Sequence, residues 1–144
     1  MKVAEVMTRH VELAGPDDTI QAAASRMAEL DTGVLPVGEG DRLVGMLTDR
    51  DVAVRAVAQG MGPDTAVREV MTPEVRYCFE DEDLDAVVRT MGDHKVRRLP
   101  VMSREKRLVG IVSFGDVALY GDSDQVDAAA SAVSEPGGPG DQTA

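Results

Sequence analysis

Gly45-Met46-Leu47-Thr48-Asp49-Arg50-Asp51 decides the fold, together with its echo Gly110-Ile111-Val112-Ser113-Phe114-Gly115-Asp116. Each stretch is an apolar strand that runs into a hydroxyl residue, with an aspartate three positions later. Val52, Val54 and Val57 follow the first, and Val117 and Leu119 follow the second, as an apolar periodic run. This is a strand-to-helix turn. Thr48 or Ser113 stands where an N-cap belongs, and Asp51 or Asp116 stands at the third helical position. Two readings are open. One is a capping box, worth about 1 kcal/mol per helix. The other is an anion site, because unpaired N–H groups and the helix dipole at such a start favour negative charge. The hydroxyl would then hold a phosphate oxygen, and the carboxylate would accept bonds from ribose hydroxyls. Recurrence of the pattern at the same place in a repeat favours the second reading.

The repeat runs through the chain. Val3-Ala4-Glu5-Val6-Met7-Thr8 returns as Val67-Arg68-Glu69-Val70-Met71-Thr72, at an offset of 64 that holds through Leu35-Pro36-Val37 and Leu99-Pro100-Val101. It becomes 65 at Leu43-Val44-Gly45 and Leu108-Val109-Gly110, so one extra residue falls between the two strands. A turn absorbs an insertion that a strand register would not. Each half reads as a one-turn lead (Val3–Met7 in the first), a short strand (Val11–Leu13 or Val75–Cys78), a helix, two strands and a closing helix. The first long helix starts at Pro16-Asp17-Asp18-Thr19 and carries Ile20, Ala23, Ala24, Met27 and Leu30 as its apolar stripe. Its partner starts at Glu80-Asp81-Glu82-Asp83, with Leu84, Val87, Val88 and Met91. The strands are Val34–Val37 and Leu43–Leu47, echoed by Arg98–Met102 and Leu108–Val112. The order β-α-β-β-α, written twice, predicts an α/β fold. The closing helix Asp51–Ala58 is apolar on most sides, so it is buried between the halves or meets another copy.

The domain reading is 1–60 for the first repeat, 61–66 for a linker, 67–122 for the second repeat, 123–133 for a C-terminal extension and 134–144 for a disordered tail. At 144 residues, the chain is long enough to bury a real core. That core is aliphatic: there is no Trp, and Phe and Tyr occur twice each against eight Met. A formal net charge of −11 argues against nucleic acid and against an anionic membrane surface. No apolar run approaches the roughly 20 residues of a membrane span. The single Cys78 makes no intrachain disulfide, and one Cys with two His builds no metal cage, so a reducing cytoplasm is the expected setting.

With the repeat and its signature in view, the chain resembles a pair of cystathionine β-synthase (CBS) domains in tandem, similar to small free-standing bacterial CBS-pair proteins, hypoxic-response proteins among them. Val6-Met7-Thr8, Met27, Leu35-Pro36-Val37, Leu43–Asp51 and their counterparts carry the resemblance, which spans Val3 to about Tyr120. It implies two halves related by a pseudo-twofold, with a cleft between them holding nucleotide sites, and pairing of the module into a homodimer. It implies ligands of the AMP, ADP, ATP or S-adenosylmethionine kind, and no catalytic cofactor. By the same resemblance Asp51 and Asp116 take the ribose hydroxyls, and Thr48 and Ser113 hold phosphate. The backbone beside Leu35-Pro36 and Leu99-Pro100 meets the adenine edge, and Val11 and Val75 line the base pocket.

An acidic chain that binds phosphate must place local positive charge. Arg50 lies inside the first turn, and Lys95, Arg97 and Arg98 lead the second Pro-Val strand. Strand alternation sends Arg97 and Arg98 to opposite faces, so Arg98 is taken as the phosphate candidate with Arg50. Gly115 replaces Arg50 and Phe114 replaces Asp49 in the second half, which favours the first motif as the binding one and makes Phe114 a space-filler. His10 reads as a surface residue, His94 as a cation at a helix C-terminus, and Cys78 as a buried small hydrophobe. The expectation is a non-enzymatic regulatory module that binds an adenine nucleotide and signals to a partner protein in trans. The alternative is a ligand-free dimeric stress-response module with vestigial sites.

Overall fold

The computed structural model describes residues 1–73 and 75–134. The expected tail therefore lies, apart from Ser134, outside the described residues. The chain forms two compact units, and their limits are offset from the sequence repeats: one is Glu12–Val75, and the other joins Met1–Val11 to the chain from Arg76 onward.

In the Glu12–Val75 unit, α1 (Ile20–Leu30) starts where the Thr19 hydroxyl accepts the Ala22 N–H at 3.1 Å, and it stops at Asp31, which turns left-handed at φ 52°. Ile20, Ala23 and Met27 are buried, but Ala24 and Leu30 of the expected stripe are exposed, Leu30 by 44%. β1 (Val34–Glu39) and β2 (Arg42–Thr48) form an antiparallel hairpin with Val34 opposite Thr48 and a register shift at Val37/Gly38. The strand expected at Val11–Leu13 is reduced to one parallel bridge between Ala14 and Val37. α2 (Asp49–Asp51) opens the closing helix, which widens to a π-turn over Val52–Ala56 and tightens to a 3-10 turn over Val57–Gln59. Val54 (45%) and Val57 (66%) stand exposed on that helix.

In the other unit, β3 (Cys78–Phe79) pairs in parallel with β4 (Arg98–Met102), which pairs antiparallel with β5 (Leu108–Ser113). β3 lies at the end of the expected Val75–Cys78 span because only Cys78 and Phe79 reach the β4 edge. α3 (Leu84–His94) buries its whole expected stripe. α4 (Phe114–Ala118) is the second closing helix, and α5 (Ser123–Val133) follows it after an Asp122 cap. The extra residue of the second repeat does fall in the β4–β5 turn.

Each core is completed by a lead from the other repeat. Val67 and Val70 sit fully buried among Ile20, Leu35, Val37 and Leu47, whereas Val3 and Met7 sit among Leu84, Met91, Leu99 and Val112. The lead then runs along the edge of the strand that ends in the hydroxyl residue. Met46 and Thr72 exchange backbone bonds, each 2.9 Å, and Thr8 and Ile111 do the same at 2.8 and 2.9 Å. This contact explains the glycine that precedes each strand's apolar run. A Cβ on Gly45 would stand 2.7 Å from the Thr72 carbonyl oxygen, and one on Gly110 would stand 2.7 Å from Met7 Sδ. Among the described residues no helix is long and apolar enough to cross a membrane.

Gly45→Ala and Gly110→Ala are each expected to cost about 1–3 kcal/mol, the usual penalty for forcing an extra methyl into packed structure. Urea unfolding of the two variants measures it. The two should cost about the same, because each added Cβ would meet both a threonine carbonyl oxygen and a methionine sulfur at 2.7–2.8 Å.

Candidate functional site

Both signature turns close on themselves as reciprocal caps. In the first, the Asp51 N–H donates to Thr48 Oγ1 and the Thr48 N–H donates to Asp51 Oδ2, both at 3.0 Å. In the second, Ser113 and Asp116 make the same pair of bonds at 3.2 Å. The strand's last residue leaves the ladder with an extended backbone, and its side chain satisfies a helix N–H that has no intrahelical partner. The capping reading of the sequence is therefore realised in both halves. The carboxylate is not used up by it: one oxygen accepts from the cap, and the other takes no part in it.

The two cradles differ in what surrounds that second oxygen. Asp51 is only 5% exposed and Thr48 only 2%. Arg55 Nε lies 3.8 Å from Asp51 Oδ1, and the same guanidinium donates to the Val70 and Met71 carbonyls at 3.3 Å. Burial pushes the Asp51 carboxyl above its ordinary value of 3.8, against the opposing pull of the Thr48 bonds and of Arg55 and Arg50. Arg50 itself is exposed, and its N–H donates to Asp49 Oδ1. At the second cradle Ser113 and Asp116 are half-buried. Tyr120 stands where the repeat places Arg55.

Arg98 belongs to the second cradle. The β4–β5 register sets it directly opposite Ser113, in the place that Val34 holds opposite Thr48. Directly opposed residues of an antiparallel pair project from the same face. Where Gly115 replaces Arg50 in the turn, an arginine occupies the neighbouring strand instead. Arg97 goes elsewhere: its Nε donates to the Val133 carbonyl at the end of α5. Phe114 packs against the core of its unit, as a space-filler does.

The base-pocket candidates are divided by the exchange of leads. Val75 lies in the unit of Leu35, Pro36 and Asp51; Val11 lies in the unit of Leu99, Pro100 and Asp116. Leu35 and Leu99 are core residues, 1% and 0% exposed, so only their backbone can meet a ligand. The Pro36 carbonyl already accepts the Ala14 N–H at 2.9 Å. Thr72 was missed by the sequence reading. Its Oγ1 is buried beside the edge of β2 with no hydrogen-bond partner among the described residues. A buried hydroxyl in that state calls for a water or a ligand. The signal was present in the recurrence of Val-Met-Thr, but spacing alone gave that threonine no neighbour. Cys78 is buried as expected, and burial raises its thiol to about 12. Among the described residues no group of three or more His, Cys, Asp or Glu is placed to hold a metal ion.

Two β-hairpins, each ending in a hydroxyl–carboxylate turn and each edged by a Val-Met-Thr lead, define a tandem repeat module. The CBS domain family matches residues 3–57 and again 67–122, and the chain belongs to it as a CBS pair. It is 43% identical over 117 residues to the CBS domain-containing protein YhcV of Bacillus subtilis, covering 81% of this chain and 83% of that one. It is 41% identical over 118 residues to hypoxic response protein 1 of Mycobacterium tuberculosis, covering 81% and 82%. Among solved structures, Hypoxic Response Protein I with two coordinated zinc ions superposes with a TM-score of 0.76 at 38% identity, over 83% of this chain and 98% of that one. The CBS domain pair of protein MJ0100, in complex with 5-methylthioadenosine and S-adenosyl-L-methionine, superposes with a TM-score of 0.72 at 28% identity, over 83% and 94%.

Thr48→Ala is expected to cost about 1 kcal/mol through the lost cap, read by urea unfolding. The Asp51 carboxyl, followed by carbon-detected NMR, is expected to titrate above 3.8. Because its folded-state proton affinity is raised, its contribution to stability is full below the unfolded value and is lost as pH rises through the folded one. A midpoint at or below the ordinary value would show that the Thr48 bonds, with Arg55 and Arg50, outweigh burial.

Proposed function

We propose that the chain is a non-enzymatic regulatory module that binds an adenine nucleotide of the AMP, ADP, ATP or S-adenosylmethionine kind at these cradles and signals to a partner protein in trans. The observation that carries the reading is the second cradle. A half-buried serine hydroxyl and a carboxylate with one oxygen outside its cap stand at one helix start, and Arg98 holds the strand position directly opposite the serine. Asp116, and Asp51 in the first half, accept ribose hydroxyls. Ser113 and Thr48 donate to phosphate, with Arg98 and Arg50 supplying charge. The backbone at Leu35-Pro36 and Leu99-Pro100, with Val11 and Val75, receives the base. The MJ0100 CBS pair, which holds two adenosyl compounds, supports this ligand class. Differential affinity for two conformations is what turns binding into a signal. The lone buried thiol suits a reducing cytoplasm, where the module acts as a homodimer.

A second reading has its own support. Thr48 and Asp51 are almost closed to solvent, while Val54, Val57 and Met61 of the same unit are exposed. A dimeric interaction module with vestigial nucleotide sites has this look.

A thermal melt with AMP, ADP, ATP, NAD and S-adenosylmethionine separates the two. Ligand at 100 times its dissociation constant adds about 2.7 kcal/mol, which raises the melting temperature by about 5–10 °C in a chain of this size. Asp116→Ala and Arg98→Ala are expected to abolish or shrink the shift more than Asp51→Ala. No shift with any of the five ligands would leave the interaction module standing. Turnover of a nucleotide by the purified protein would overturn the non-enzymatic reading.

A further inference from the structure

The two cradles part at one position. Arg55 and Tyr120 correspond in the repeat, each four residues beyond its aspartate. The Asp51 cap uses Oδ2, so Oδ1 is the oxygen left for a ligand, and Arg55 Nε stands 3.8 Å from it. At that distance the contact is an ion pair rather than a hydrogen bond. The guanidinium's hydrogen bonds go elsewhere: its Nη1 donates to the Val70 and Met71 carbonyls, each at 3.3 Å. Arg55 makes these contacts from the π-turn over Val52–Ala56, whereas the second closing helix is α-helical over Phe114–Ala118. Exposure follows the same division. Asp51 and Thr48 are buried; Tyr120, which carries no positive charge, is 56% exposed, and Ser113 and Asp116 are half-buried.

We propose that Arg55 is a gate: its guanidinium takes the place of the ribose hydroxyls at Asp51 and keeps the first cradle shut to nucleotide, while the second stays open. The inference rests on the reading that the cradles take adenine nucleotides, and it assigns the difference between them to one side chain. The gate is loosely held on the acid's side. Arg55 gives Asp51 charge without a hydrogen bond, and burial outweighs that charge in setting the acid's proton affinity. Two ribose hydroxyls would bring the donors that the arginine does not. What holds the guanidinium in place is its pair of bonds to the lead, and a side chain without N–H donors cannot make them. The plain alternative is a brace for the Val70 and Met71 carbonyls. A brace predicts a lower melting temperature when Arg55 is lost, but no new site.

Isothermal titration of the whole chain with AMP, ADP, ATP and S-adenosylmethionine counts the sites. The natural sequence is expected to bind one nucleotide per chain, and Arg55→Ala two. Arg55→Met keeps much of the stem's packing and removes only the charged head. It is expected to bind two as well, and it stands in should the alanine variant fail to fold. Carboxylate variants assign the sites. Asp116→Ala should bind none; Arg55→Met with Asp116→Ala should bind one, and Arg55→Met with Asp51→Ala should also bind one. Two sites in the natural sequence would overturn the gate and leave the nucleotide reading standing. So would a single site in both Arg55 variants, with only their melting temperature lowered. Binding of no ligand by any of these proteins sinks both. No site in the natural sequence but one in Arg55→Met keeps the gate and removes the second cradle as a binding site.

Discussion

A hydroxyl and a carboxylate, three residues apart and bonded to each other's backbone, govern both halves of this protein. The pair ends a strand and begins a helix in the space of one residue. It fixes the direction in which the closing helix departs, and it leaves one carboxylate oxygen outside the cap. The same chemistry that satisfies a helix terminus is what a sugar would meet there. The energy of the cap holds the acid in one place.

Around that shared device the halves have diverged. Arg55 anchors the first carboxylate to the Val70 and Met71 carbonyls. The second carboxylate has Tyr120 at that position and Arg98 on the neighbouring strand. One cradle is buried and braced; the other is half-buried. α5 packs on α3 at Gly92, and Ala28 stands at the matching place on α1, where no described helix packs in the same way.

Most of the architecture was legible in the primary structure because it depends on local chemistry. Thr19, Thr48, Ser113 and the acidic run before Leu84 mark helix starts, and the shift in repeat offset located the β4–β5 turn. What was not legible depends on pairing at a distance. The place of Arg98 follows from register with Ser113, which no spacing within β4 reveals. The partner of Thr72 is the edge of a strand some twenty-five positions away. Ala24 and Leu30 have the period of a buried stripe, yet both are exposed, since among the described residues no helix covers them. The Val11–Leu13 strand shrank to a bridge at Ala14, since an extended backbone becomes a strand only where an edge receives it.

The exchange of the Val-x-x-Val-Met leads has a consequence for how this protein can be divided. Severing the chain in the Gly60–Asp64 linker would give each fragment a lead that fits the other fragment's core and deny it the one that fits its own. A single repeat is thus a unit of ancestry but not a unit of folding.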